Sequence, residues 1–133
     1  MCGLAGMLLP APVASAELLQ AQVLAMGEAL HHRGPDDGGN WVDAGAGIAL
    51  AHRRLSILDL SPLGHQPMAS ADGRYVMAYN GEVYNFAALR AELEPLGHVF
   101  RGHSDTEVLL AAILQWGMED TLQRCNGMFA IAL

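Results

Sequence analysis

The chain of 133 residues is long enough for one domain and too short for two independent cores. Hydrophobic residues make up 52% of it and charged residues 16%, a composition that excludes a disordered chain and requires a sizeable core. Fourteen acidic residues against seven basic ones leave a net charge of −7, which repels nucleic-acid phosphates and anionic headgroups, so neither nucleic acid nor a membrane is expected as a partner.

Residues 3–9 form a short apolar run that fits a buried strand, ended by the Pro-containing stretch 10–14. Ser15 is placed to cap a helix in which Leu19, Val23, Met26 and Leu30 recur at helical spacing, with Glu17 in its first turn. The loop formers of residues 34–40 break that pattern. Residues 41–42 and 47–52 then read as a hairpin turning through 43–45, and 55–60 as a further extended stretch. After the Pro/Gly-punctuated segment SPLGHQPM (61–68) and a turn at Asp72-Gly73, residues 74–79 make the next strand and Asn80-Gly81 marks its end. Asn85 can cap a helix carrying Phe86, Leu89 and Leu93 on one face, stopped by Pro95 and Gly97. Residues 98–101 read as a short strand. Ser104 and Glu107 form a capping-box signature ahead of VLLAAIL, predicting a helix that runs to Gly117. Residues 128–133 read as an inner core strand on which the sequence stops, which suggests a fragment of a longer protein whose isolated form exposes apolar surface. Hairpins with helices gathered apart from them favour an α+β sandwich over a doubly wound parallel sheet.

All seven basic residues are Arg, so Schiff-base catalysis and a phosphate-loop lysine are both closed. No charged leader precedes the apolar start, and the longest apolar run, 108–114, is about a third of the ~20 residues that span a bilayer. A cytoplasmic protein with two free thiols, Cys2 and Cys125, is the expectation, Cys125 being an inert buried one. The six histidines show no metal-ligand spacing, and no metal is expected.

Cys2 is the first candidate for chemistry. Removal of Met1 would place a thiol and a free α-amine on one residue, and simple thiols and α-amines titrate within about one unit of each other, near ~8.5 and ~7.7 to 8.0. Polar residues set in apolar surroundings supply a context: Arg33 and Asp36 in HRGPDDGG, the arginines of RRLSILDL, Asn80, Gly81 and Glu82 in YNGEVYN, and Asp105 at a helix N-terminus. Taken singly, each has an ordinary structural account: a tied loop, a turn, a helix-dipole partner.

Taken together, MCGLAG (1–6), HRGPDD (32–37), AHRRLSILDL (51–60), GHQPM (64–68), YNGEVYN (79–85), HSDTEVLL (103–110) and NGMFAIAL (126–133) resemble the glutaminase domain of glutamine-hydrolysing asparagine synthetase. That domain is a class II amidotransferase of the N-terminal nucleophile type. The resemblance implies a sandwich of two mainly antiparallel sheets flanked by helices, incomplete over residues 1–133, and an ATP-dependent synthetase domain beyond residue 133. It implies Cys2 as the nucleophile attacking the glutamine amide, Asn80 and Gly81 as the oxyanion hole, and Arg54, with Arg53 or Arg33 next in line, gripping the α-carboxylate. Glu82 and Asp105 would meet the α-ammonium. No cofactor is implied for this domain; ATP and magnesium belong to the synthetase half, which would consume the ammonia to make asparagine from aspartate. Another carboxylate acceptor, or an inactive binding domain, are the competing readings, and a homodimer is compatible with all of them.

Overall fold

The computed structural model describes residues 2–11, 15–57 and 61–133. The elements run β1 (Gly3–Leu8), α1 (Ala16–Ala29), β2 (Asp37–Asp43), β3 (Ile48–Arg54), β4 (Met68–Ala69), β5 (Val76–Val83), α2 (Phe86–Leu93), α3 (Asp105–Trp116), α4 (Met118–Arg124) and β6 (Gly127–Ala132). Two antiparallel three-stranded sheets result, ordered β1-β3-β2 and β4-β5-β6.

Alternation along β3 builds the layers. Ala49 and Ala51 pack against Leu19 and Val23 of α1 on one face of the first sheet. His52, on the opposite face, reaches across to β5, where its Nε2 lies 2.9 Å from the Tyr79 carbonyl. The second sheet packs its Met77, Tyr79 and Val83 against Leu89 and Leu93 of α2 and Val108, Leu109 and Ile113 of α3. The order is helix, sheet, sheet, helices, the expected α+β sandwich. Full burial of Leu93, Leu109 and Ile113 is worth roughly 1.5 to 3 kcal/mol each, whereas a helix cap contributes about 1 kcal/mol, so this packing rather than end chemistry holds the helices.

Local signals succeed where the chain's own neighbours satisfy it. Ser15 Oγ accepts from the Leu18 amide, and Ser104 Oγ from that of Glu107, as the capping patterns predict. Glu107 departs from the capping box: its carboxylate accepts from the Arg101 and Gly102 amides at 2.9 Å each. The Arg101 amide is thereby taken by a side chain, Arg90 donates to the Gly102 carbonyl just beyond it, and no strand forms at 98–101, where the sequence predicts one.

Further corrections come from long-range pairing. β2 starts at Asp37, because Gly38 and Gly39 lie opposite Arg53 and His52 of β3 and complete the ladder. Asn80 and Gly81 are not a turn: they sit inside β5, opposite Ala130 and Phe129 of β6, some fifty residues away. β3 ends at Arg54, and Leu55 to Ile57 are irregular; the remainder of the extended stretch expected at 55–60 lies outside the described residues, as do residues 12–14 and Met1. Asn85 occupies the N-cap position of α2, yet its side chain bonds the Arg124 carbonyl and the Asn126 amide, tying α2 to the entry of β6. Helix α4 has no counterpart in the sequence reading. Among the described strands β6 pairs with β5 alone, so its other edge is unpaired in this chain. Cys125 is half-buried, not fully buried, and burial pushes its thiol up. No described helix is long and apolar enough to cross a membrane.

His52 links the sheets and makes acid stability a test of their docking. Its ring is 1% exposed, and the Nδ1 atom has no partner among the described residues. Burial, opposed by the Tyr79 carbonyl and the Asp37 charge and aided by Arg54 and His65, pushes its pKa down to about 4. The unfolded chain therefore binds a proton in a window, pH 6.5 down to 4, where the folded chain does not. Stability is complete above that window and falls on acidification, by about 2 kcal/mol at pH 5. Urea midpoints at pH 7.5 and 5.0 should differ accordingly in the wild type. The gap should largely close in His52→Gln, whose amide nitrogen can still donate to the Tyr79 carbonyl.

Candidate active site

One cavity of about 160 Å³ opens between the two sheets and the start of α3. Cavities of this size in other proteins hold a single small molecule. Its lining includes all six residues picked out in sequence: Cys2, Arg54, Asn80, Gly81, Glu82 and Asp105. They come from four separate places in the chain, and pairing brings them together.

Cys2 stands immediately before β1, whose Gly3 pairs with Arg53 of β3. That register sets the Cys2 sulfur 3.3 Å from the Leu55 amide nitrogen and 3.6 Å from the Leu55 carbonyl oxygen. The nucleophile candidate and the arginine candidate thus share the β1–β3 ladder.

Alternation decides between the adjacent arginines. Arg53 turns to the α1 side, where its guanidinium donates to Glu28 at 3.1 Å and to the Gly34 carbonyl at 3.3 Å. Arg54 turns to the cavity, is 7% exposed, and donates to the Ser61 carbonyl at 2.8 Å. Gly64 packs so closely on the Arg54 guanidinium that a Cβ there would lie 2.1 Å from Nη2, so only glycine leaves room for this seat. Arg33 does not line the cavity, and Asp36 ties the loop after β3 by accepting from the Ser56 amide at 2.8 Å.

Asp105, the first residue of α3, is 6% exposed. One of its carboxylate oxygens accepts from the Tyr79 hydroxyl at 2.7 Å and from the Val83 amide at 2.9 Å. Burial first, then the Asp105 charge, push the Tyr79 phenol far above its ordinary range, so it stays protonated and donates. Near the cavity, Asp37 is held below the usual carboxylate value: burial raises it, but the His65 ring at 2.9 Å, the Gly38 amide and Arg54 outweigh that.

Asn80 and Glu82 share one face of β5, with Gly81 between them. At Gly81 an added Cβ would lie 2.3 Å from the Met128 carbonyl oxygen of β6, so the strand pair closes only on glycine.

Sequence reasoning missed Gln66, Tyr79, Ser104 and Thr106, which also line the cavity. Gln66 is 4% exposed; its Oε1 accepts from the Tyr79 amide at 2.6 Å and its Nε2 donates to Thr106 Oγ1 at 3.3 Å. The signal was present as the lone amide of GHQPM. Nothing local in that motif says that it will be buried. Among the described residues, no cluster of three or more His, Cys, Asp or Glu side chains is placed to hold a metal ion.

The glutamine amidotransferase domain family matches residues 1–133. Asparagine synthetase [glutamine-hydrolyzing] 1 of Bacillus subtilis is 38% identical over 133 residues, covering 100% of this chain and 20% of the relative. Asparagine synthetase B [glutamine-hydrolyzing] of Escherichia coli is 43% identical over 115 residues, 86% of this chain and 20% of the relative. Amidase chry2 of Gibberella zeae is 37% identical over 102 residues, 77% of this chain and 15% of the relative. The chain spans about a fifth of the length of the asparagine synthetases it matches. With a match from end to end, this chain belongs to the glutamine amidotransferase domain family.

Proposed function

We propose that this domain hydrolyses glutamine to glutamate and ammonia through a thioester on Cys2, as an N-terminal nucleophile enzyme. The observation that carries the reading is the convergence of a thiol, a buried guanidinium, a buried carboxylate and an amide-bearing strand segment on one cavity of about 160 Å³. A free amino acid needs a cation and an anion at its α-carbon end and a nucleophile at its side-chain end.

After removal of Met1, the α-amine of Cys2 takes the thiol proton as the sulfur attacks the side-chain amide carbon. The tetrahedral oxygen is met by the Asn80 side-chain amide and the Gly81 N–H. Collapse expels ammonia, which takes the proton from the α-ammonium, and leaves the thioester. Water then attacks with the α-amine as base, releasing glutamate and the free thiol. Arg54 holds the substrate α-carboxylate, and Asp105 and Glu82 hold its α-ammonium.

Retention of every element of this set argues against an inactive binding domain. The relatives' names, glutamine-hydrolyzing asparagine synthetases, support asparagine synthesis as the use of the ammonia; aspartate as the acceptor, an ATP- and magnesium-dependent synthetase domain beyond residue 133 and a cytoplasmic location are the parts of this proposal that rest on the sequence resemblance alone. One relative is named an amidase and not an asparagine synthetase, and the second reading is an amidotransferase that acts on another carboxylate acceptor.

Glutamate release from glutamine tests the reading. Arg54→Ala should raise KM roughly 10- to 100-fold with a much smaller change in kcat, because a lost charge-assisted hydrogen bond to the non-reacting end of the substrate costs about 1.5 to 3 kcal/mol. A kcat loss at unchanged KM would remove Arg54 from the substrate-binding role.

A further inference from the structure

This inference rests on the glutaminase reading and concerns how its oxyanion donors are aimed. An antiparallel strand presents its amide and carbonyl groups to its two edges in alternation. One edge of β5 is paired with β6, and that side continues at Tyr84, whose amide donates to the Asn126 carbonyl at 2.7 Å. The other edge meets β4 only at Val76 and Met77, because β4 is two residues long. Beyond Met77 no strand among the described residues covers it.

Side chains take over there. The Tyr79 amide donates to Gln66 Oε1 at 2.6 Å, the Tyr79 carbonyl lies 2.9 Å from His52 Nε2, and the Val83 amide donates to Asp105 Oδ2 at 2.9 Å. Gly81 lies midway between Tyr79 and Val83, so alternation turns its amide to this same edge, at the cavity. Gln66 is itself anchored at its far end on Thr106 of α3.

We propose that Gln66 is a positioning residue: by standing in for the missing strand it fixes the Tyr79 backbone and thereby aims the Asn80 side chain and the Gly81 amide at the developing oxyanion. An unheld edge would let the segment between Met77 and Val83 shift by fractions of an ångström, which matters for a donor that must meet charge only in the transition state.

The experiment compares wild type, Gln66→Leu, Gln66→Glu and Thr106→Val for glutamate release, with folding checked by circular dichroism. A second readout is binding of glutamate and of its γ-aldehyde analogue. The aldehyde accepts the Cys2 sulfur at its carbonyl carbon, the thiol proton passing to the new oxyanion, and so occupies the oxyanion hole; glutamate does not.

Gln66→Leu should lower kcat about 10- to 100-fold with KM within about twofold, the cost of an unheld buried amide. Aldehyde affinity should fall by the same factor while glutamate affinity holds. Gln66→Glu keeps an acceptor for the Tyr79 amide and can accept from the Thr106 hydroxyl, so it should recover most of the loss. Thr106→Val should show a smaller kcat loss of the same kind, which decides the matter should Gln66→Leu fail to fold. Unchanged kcat in the variants, or parallel losses of glutamate and aldehyde affinity, would overturn the positioning role with the glutaminase reading intact. A wild type that releases no glutamate overturns that reading, and the positioning role with it.

Discussion

Cys2→Ala is expected to reduce glutamate release to the uncatalysed background while leaving the urea midpoint within about 0.5 kcal/mol of wild type. The stability half of this expectation follows from the site. The Cys2 side chain is half-buried and belongs to neither core cluster, and among the described residues its hydrogen bonds are the weak sulfur contacts to Leu55. The β1–β3 ladder that begins at Gly3 opposite Arg53 does not depend on the sulfur. The activity half follows from covalent catalysis: without a thiol there is no thioester, and no other cysteine, serine or threonine among the cavity residues has a neighbouring free amine. A companion measurement separates thiol from amine. Protein carrying an uncleaved N-terminal extension retains the sulfur but converts the basic amine into an amide, and it should be as inactive as Cys2→Ala. Intact mass identifies each species. Full activity with the extension in place would assign the base elsewhere, and turnover by Cys2→Ala would end the thioester mechanism.

Much of the site was legible because its residues carry their chemistry in their type: a thiol at position 2, a carboxylate at a helix start, an arginine pair on an apolar strand. What the sequence could not reveal was which edge or face each would occupy. Arg53 and Arg54 are equivalent in composition, and only the pairing of β3 with β1 and β2 sends the first to Glu28 and the second to the cavity. The Asn80-Gly81 step is deceptive for a related reason. Its local chemistry is that of a turn, and the partner that makes it a strand, residues 129–130, lies far along the chain. Gln66 shows the limit most plainly. A glutamine in a Pro- and Gly-punctuated segment reads as surface loop, yet it is 4% exposed because a two-residue β4 leaves an amide on β5 that some side chain has to satisfy. Helix α3 was the easiest element to foresee, since Ser104 and the apolar run after it are contiguous in sequence.

Asn80→Ala should lower kcat roughly 10²- to 10³-fold with little change in KM, the loss found when one side-chain oxyanion donor is removed. Of the two oxyanion donors proposed here, Asn80 is the one that mutation can remove cleanly. The Gly81 donor is a backbone amide, which no substitution deletes, and any side chain at 81 drives a Cβ to within 2.3 Å of the Met128 carbonyl oxygen and disturbs the β5–β6 ladder. At Asn80 the backbone stays opposite Ala130 whatever the side chain, so the fold and the residues proposed to bind substrate, Arg54 and Asp105, are left in place. Because the donor acts on charge that develops only as the sulfur attacks, the ground-state complex loses almost nothing and the transition state loses about 2.7 to 4 kcal/mol. Asn80→Asp sharpens the test. It keeps the shape of the side chain but replaces the donor by a carboxylate facing the oxyanion, so its kcat should fall below that of Asn80→Ala, with folding unchanged by circular dichroism. Steady-state glutamate release by the two variants measures both effects. A larger rise in KM than fall in kcat would make Asn80 a substrate-binding residue, and an Asp variant more active than the Ala variant would mean that no oxyanion forms beside it.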